Sequence, residues 1–423
     1  MSSPGLKPLE MLESYIEEGL TSSRTCDPPI DISQFNFTSY DYERPHGYFK
    51  QFNFKDYCKI IFSLLVIIVS VIGNIGVLFS STFNRSIRHT IHIYLSNLAI
   101  ADLFISIFCM IVFLINNLTY PLFVLGPIVC KLNAFTQMTS LTSSVLTLSA
   151  ISCDRFIAIM YPLRVRVTKQ RTKAVITVIW IISLAVSTPF VIVRKHLEFQ
   201  WRNFVETNCQ EIWPPHTHYD PIKERCLTTY PWKKYYYTFV TIALFFLPIV
   251  IMTTAYALII WKLWITKLPG ESNAASICAQ HRAKKKVIKM ACIVLLVFVC
   301  CWAPLQITLI YSEFIHSPSE RGQLPGWFKQ TSYLATFVAY SNSAINPIIY
   351  GGFDKTFRQA FGTFISCHTF NPVPRVISKY KYPSNIHLTT AVGSSNNRER
   401  KLLINASKTF TRSLLVSIHQ ITQ

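Results

Sequence analysis

The stretch Cys130-KLNAFTQMTSLTSSVLTLSAISCDRFIAIMY-Pro162 decides the architecture. Leu132, Phe135, Met138, Leu141, Val145, Leu148 and Ile151 recur at intervals of three and four, the period of a helix. A helix of about 30 residues, rising 1.5 Å per residue, spans roughly 45 Å, enough to cross a bilayer at a tilt. A cysteine stands at one end and the charged pair Asp154-Arg155 at the other, next to basic residues. Charges at the edge of hydrocarbon are costly, so this pair is a candidate for function; a helix cap or interfacial anchor is the plainer reading.

Six further apolar runs accompany this one. Together they cover about 58–82, 91–116, 127–161, 171–193, 233–265, 284–312 and 327–350. The 423 residues are 50% hydrophobic and only 15% charged, where a soluble domain carries about 25% charge. The expectation is an all-α membrane protein: a bundle of seven transmembrane helices with a short amphipathic eighth helix. We divide the chain into an extracellular tail at 1–57, the bundle at 58–350, a membrane-surface helix at 351–367 and a cytoplasmic tail at 368–423.

The net charge of +20 invites nucleic acid, but its distribution argues otherwise. Arg85 and Arg88, then Arg164, Arg166, Lys169, Arg171 and Lys173, then Lys262, Lys267, Arg282 and Lys284 to Lys286 fall in alternate loops on one side. The first tail holds Glu10, Glu13, Glu17, Glu18, Asp27 and Asp31. Positive residues stay in the cytoplasm, so the N-terminus is expected outside and the C-terminus inside, at the plasma membrane. No cleavable signal precedes the first run, and Met1 to Asp56 reads as a disordered polar tail. The sequons at Asn36 and Asn117 then face outward and are expected to carry glycans.

Several polar residues lie inside apolar runs. Asp102 is the one carboxylate deep in hydrocarbon, and it must be paired, hydrated or protonated. Asn74, Ser144, Asn342, Ser343 and Asn346 are its expected neighbours once the helices close. Carboxylate, hydroxyl and amide oxygens suit a hard cation, here an allosteric sodium ion; the alternative is a hydrogen-bonded packing network. No other cofactor is expected. Pro189, Pro248, Pro304 and Pro347 interrupt the last four helices, and Phe298 and Trp302 share one face of the sixth.

Taken together, these marks make the chain similar to the rhodopsin-like (class A) G-protein-coupled receptors over about residues 55–367. The resemblance rests on Gly73-Asn74, Leu98-Ala-Ile-Ala-Asp102, Cys130, Asp154-Arg155-Phe156, Trp180, Pro248 with Tyr256, Phe298-x-x-x-Trp302-x-Pro304 and Asn346-Pro347-x-x-Tyr350. It implies a receptor that binds an extracellular ligand and activates a heterotrimeric G protein, with arrestin, receptor kinases and membrane lipids as further partners. Asp154, Arg155, Phe156, Tyr256, Phe298, Trp302, Pro304, Asn346, Pro347 and Tyr350 are then the coupling and switch residues. The family's usual Asp-Arg-Tyr is Asp-Arg-Phe here, and Lys284 to Lys286 stand where some members place an acid that restrains the arginine. Phe353, Phe357 and Phe361 give the segment after Tyr350 one apolar face, and Cys367 beyond it is a palmitoylation candidate.

The pattern Cys209-Gln-Glu211-Ile-Trp213-Pro214, together with Gln137, resembles peptide receptors of the neuropeptide Y, orexin and neuropeptide FF group. Gln137, Glu211, Trp302, Gln306 and Glu313 are the expected ligand contacts. A receptor for a lipid or nucleotide is the alternative, and a transporter or channel a more distant one. An enzyme is not expected, because no metalloprotease or nucleophile-elbow motif occurs. The resemblance implies a Cys130–Cys209 disulfide. It leaves Cys226 over, with Cys26 as its expected partner and Cys58, another molecule or a free thiol as alternatives.

Overall fold

The computed structural model describes residues 37–42, 52–83, 90–161, 168–220, 225–265, 274–315, 324–353, 358, 361 and 362, with side chains for all but 82–83, 90, 220, 225, 263, 274–287 and 315. They belong to one compact unit, Met1–Thr369; a second unit, Phe370–Gln423, lies outside the described residues.

Seven long helices are present among the described residues. They are α1 (Phe54–Phe83), α2 (Thr90–Phe104 continued by Met110–Thr119), α3 (Gly126–Met160), α4 (Lys169–Val193), α5 (Pro231–Thr241 continued by Leu247–Ile265), α6 (Ala274–Ile310) and α7 (Gly326–Phe353). Three carry a π-helical turn that the periodicity does not announce: Ile105–Cys109 within α2, Ile242–Phe246 within α5 and Tyr311–Ile315 at the outer end of α6. Such a turn inserts one extra residue and rotates everything beyond it. Local chemistry starts several helices. Gly126 takes φ +78°, a left-handed angle open to glycine, and Pro127 follows in the first turn of α3. Thr168 caps α4 by accepting from the Arg171 amide.

Six of the seven helices are long and apolar enough to cross a membrane. α7 falls short in composition because it carries Lys329, Gln330, Thr331, Ser332, Ser341, Asn342, Ser343 and Asn346. Its inner half nonetheless buries Asn342, Ser343 and Asn346 in the bundle.

The core runs through the bundle from Val77, Leu98 and Val145 to Met252, Ile259, Phe298, Trp302 and Tyr350. Polar ties fix the neighbours. Asn97 donates to Thr147 Oγ1 (2.8 Å) and accepts from Trp180 Nε1 (2.8 Å), joining α2, α3 and α4. Asn74 donates to the Ser343 carbonyl (3.1 Å), joining α1 and α7. Beside it Gly73 admits the Pro347 ring: a Cβ built there would lie 2.6 Å from Pro347 Cβ. Beyond α7, Arg358, Phe361 and Gly362 are helical, and Phe361 packs over Gly76; the rest of 354–367, with Cys367, lies outside the described residues.

The segment after α4 is more ordered than a polar loop. It forms the antiparallel pair β1 (Arg194–Gln200) and β2 (Val205–Glu211), in register Arg194↔Glu211 to Gln200↔Val205. A second antiparallel pair follows, β3 (His216–Asp220) with β4 (Arg225–Thr229). Part of the first tail is also placed, where the sequence suggested only disorder. Phe37 is buried with its ring 4.7 Å from Trp201, and Tyr42 stacks on Phe204 at 5.0 Å. The Arg202 amide donates to the Tyr40 carbonyl (3.0 Å), and the Tyr42 amide to Asn203 Oδ1 (2.7 Å). Aromatic burial plus backbone pairing orders this short piece despite its polar surroundings. Burial holds the Glu206 carboxyl in this hairpin above its ordinary range, opposed by hydrogen bonds from Trp201 and Asn208.

Gly73→Ala should destabilise the bundle by about 1–3 kcal/mol, the usual penalty for overpacking against a rigid ring. A lowered melting temperature of the purified protein checks this; an unchanged one would mean α1 and α7 can separate freely.

Candidate functional site at the two ends of the bundle

At one end of the bundle, labelled the outer end here and the opposite one the inner end, Cys130 at the start of α3 is disulfide-bonded to Cys209 in β2. The bond fixes Glu211 two residues further on. Glu211 accepts from Arg194 Nη2 through Oε1 (2.9 Å), and from Tyr237 OH (2.8 Å) and Trp213 Nε1 (3.3 Å) through Oε2. Three groups, from β1, the segment after β2 and α5, therefore meet on one carboxylate of β2. Trp213 is buried against Phe190 and Val193 of α4, Ala134 of α3 and Tyr236 and Tyr237 of α5. Met138 of α3, the residue after Gln137, borders both this cluster and the one containing Trp302.

Gln306 is buried, with its Oε1 accepting from Thr241 of α5 (3.1 Å). Glu313, in the π-helical turn of α6, is ion-paired with Lys233 of α5 (2.7 Å). Both expected acids thus already hold a base of this chain. Sequence reading missed Lys233, Arg194, Tyr237 and Thr241. Each is an ordinary polar residue at a helix or strand end, and no spacing pairs it with its partner in advance.

The middle of the bundle holds Asp102, buried, with Oδ2 accepting from Asn346 Nδ2 (2.8 Å). The Ser106 hydroxyl donates to the Asp102 carbonyl (2.6 Å) and also pairs with Ser70. Ser144 Oγ, Asn74 Oδ1 and Asn342 Oδ1 are buried without a hydrogen-bond partner among the described residues. Orphaned oxygens of this kind on α1, α3 and α7, together with the Asp102 carboxylate, are the donor types a hard cation takes. Phe298 and Trp302 of α6 are both buried, their ring centres 6.3 Å apart.

At the inner end, Arg155 pairs with Asp154 (3.4 Å) and its Nε has no partner among the described residues. Phe156 sits half-buried, edge-on to Tyr161 at 6.5 Å. Ser152 of α3 and Tyr256 of α5 share a 2.5 Å hydrogen bond. Tyr256 and Tyr350 line one narrow apolar gap together with Ile91, Leu148, Met252 and Met290. The side chains of Lys284 to Lys286 lie outside the described residues, as do Cys26 and Asn36. Cys226 is itself disulfide-bonded, and its partner lies outside the described residues. That sets aside the free thiol, and also Cys58, which is free.

A bundle with an anchored loop over one end and a charged arginine at the other is the build of a membrane receptor. Residues 73–350 match the family model described as the 7 transmembrane receptor (rhodopsin family). The chain belongs to this family and is a multi-pass membrane protein. Among curated relatives, the QRFP-like peptide receptor of Branchiostoma floridae is 28% identical over 325 residues, covering 75% of this chain and 80% of that protein. The RYamide receptor of Drosophila melanogaster is 33% identical, covering 72% of this chain and 63% of its own length. The Pyroglutamylated RF-amide peptide receptor of Rattus norvegicus is 26% identical, covering 72% and 69%. The matched part of this chain thus spans less than two thirds of the Drosophila protein.

Because Glu211 carries three bonds, Glu211→Gln and Arg194→Gln should each lower the melting temperature in the absence of any ligand. The double variant should lose little more than the worse single one. Additive losses would show that the two side chains act separately.

Proposed function

We propose that this chain is a cell-surface receptor activated by an extracellular peptide and signalling through a heterotrimeric G protein. The observation that carries the proposal is the outer end of the bundle. There a disulfide-anchored hairpin brings Glu211 and Trp213 against α3, α4 and α5, and α5 also carries Lys233, the ion-pair partner of Glu313. Relatives named for RF-amide and RYamide peptides suggest the ligand class, a peptide ending in arginine and an amidated aromatic residue. Aromatic walls would bury the last side chain, the amide of Gln137 would meet a peptide amide, and Glu313 would meet the arginine.

The disulfide supports the orientation: such bonds persist in oxidising compartments, so the end carrying Cys130 and Cys209 faces outward and Arg155 the cytoplasm. We assign Asn36 as the glycosylated residue. The Asn117 amide is engaged with the Phe113 carbonyl in the last turn of α2, and Thr119 is buried. Cys26 is proposed as the partner of Cys226, helical Arg358, Phe361 and Gly362 as part of an amphipathic eighth helix, and Cys367 as its palmitoylated end. Arrestin and receptor kinases would read the cytoplasmic tail.

Sodium is proposed at Asp102, with Ser144, Asn342, Ser343 and Asn346 supplying the remaining oxygens. The chain's own residues hold the carboxylate between α2 and α7, and a cation there would favour the closed bundle. An ion biases only states for which its affinity differs.

The proposal is tested by a panel of amidated peptides applied to cells expressing the receptor and a promiscuous G protein, read by calcium. A response to arginine-aromatic amides is expected; silence to peptides with a response to lipids or nucleotides would transfer the ligand class. Arg155→Ala should abolish nucleotide exchange while leaving peptide binding within a few-fold of wild type. Added sodium should weaken agonist binding in wild type and have no such effect in Asp102→Asn; equal effects would make the site purely structural.

A further inference from the structure

We infer that Lys233 is the resident counter-ion of Glu313, holding the position that a ligand's cation takes on binding, and so sets the receptor's preference for arginine. The inference rests on the peptide reading above. It starts from a contrast between the two acids at the outer end. Glu211 uses both oxygens for three partners, all from the framework of the bundle, and has the character of a scaffold. Glu313 is held by the Lys233 ammonium through Oε1 at 2.7 Å, with side chains 15% and 31% exposed.

That exposure decides what binding requires. A carboxylate so largely removed from water cannot be left without a partner at little cost. Lys233 supplies that partner in the unliganded receptor. A neutral ligand group placed against Glu313 would leave the ion pair intact or strand the acid. A cationic group can exchange for Lys233, which is the more exposed partner and sits on a flexible stem in the first turn of α5. The affinity measured for a basic ligand is then the difference between its own pairing with Glu313 and the one it breaks.

The exchange also discriminates between cations. Lys233 is a point charge that engages one oxygen. A planar guanidinium reaches both oxygens of a carboxylate in a fixed geometry, whereas a ligand ammonium offers nothing that Lys233 does not already provide. Arginine is therefore the side chain that gains from displacing a resident lysine. The next residue reinforces the arrangement: Lys234 lies 5.0 Å above the Phe314 ring, so adjacent lysines of α5 grip adjacent residues of α6. Lys233 thus adds a bond between the two helices that a bound arginine would break.

The test uses the full-length receptor in nanodiscs and two synthetic peptides ending in Arg-Phe-amide and citrulline-Phe-amide, citrulline being the neutral isostere. Lys233→Met should raise the affinity of the arginine peptide by about tenfold, the order expected when a competing, partly desolvated charge is removed. It should leave the citrulline peptide unchanged, and in a Glu313→Gln background it should have no effect. Lys233→Gln repeats the measurement in case the methionine variant folds poorly. If the wild type binds the arginine peptide but removal of Lys233 leaves its affinity unchanged, lowers it, or shifts both peptides alike, the inference is overturned while the peptide reading stands. If the wild type binds neither peptide, the peptide reading falls, and the pair is judged on the ligand-free receptor. Non-additive losses of melting temperature in the Lys233→Met, Glu313→Gln cycle would support the counter-ion role, and additive losses would remove it.

Discussion

In hydrocarbon no water is at hand, so each polar group in the bundle must find its partner within the protein. The order of the helices here follows from that constraint. Asp102 can be held between α2 and α7 only if Asn346 faces it. Asn97 must meet both Trp180 and Thr147, which places α4 beside α2 and α3. Asn74 reaches the Ser343 carbonyl only because Gly73 lets the Pro347 ring approach α1. Apolar packing among Val145, Met252, Ile259 and Phe298 fills the space between these ties but is less directional.

The same constraint separates the two ends. At the outer end charge is balanced inside the protein, with Arg194 on Glu211 and Lys233 on Glu313. The mouth is therefore not a bare acidic pocket, as a list of its acids suggests, but a set of formed pairs that a ligand must complement or exchange. At the inner end Arg155 has only its neighbour Asp154 as an ion-pair partner among the described residues. Tyr256 is turned to Ser152, and an apolar gap separates the tyrosines on α5 and α7. This arrangement leaves Arg155 Nε without a partner among the described residues. Pro304 removes one backbone donor within α6, two residues after Trp302.

Much of this was legible because it rests on fixed periods. Phe298 and Trp302, four apart, had to share a face, and the seven apolar runs had to be helices. Asp102 was conspicuous because a carboxylate in an apolar run has few explanations. The pairing of β1 with β2 was not legible, since Arg-Lys-His-Leu-Glu-Phe-Gln and Val-Glu-Thr-Asn-Cys-Gln-Glu look polar and lack a clean alternation. The docking of Phe37 on Trp201 joins residues far apart in sequence, which no local pattern encodes. The π-helical turns carry no composition of their own. Lys233 was passed over because a lysine at a helix start is usually solvated, and only the packing of α5 against α6 brings it to Glu313.

The central claim is the proposed one, that a peptide bound at the end carrying Cys130 and Cys209 signals to a G protein at the end carrying Arg155, and a movement of α6 is the link that follows from it. Distance measurements between spin labels at the Lys169 end of α4 and the Ala274 end of α6, on receptor in nanodiscs, test it directly. An amidated arginine-aromatic peptide should shift the distribution toward a longer separation, and the G protein should shift it further in the same direction. A peptide that binds with full occupancy and leaves the distribution unchanged, with and without the G protein, would contradict the account.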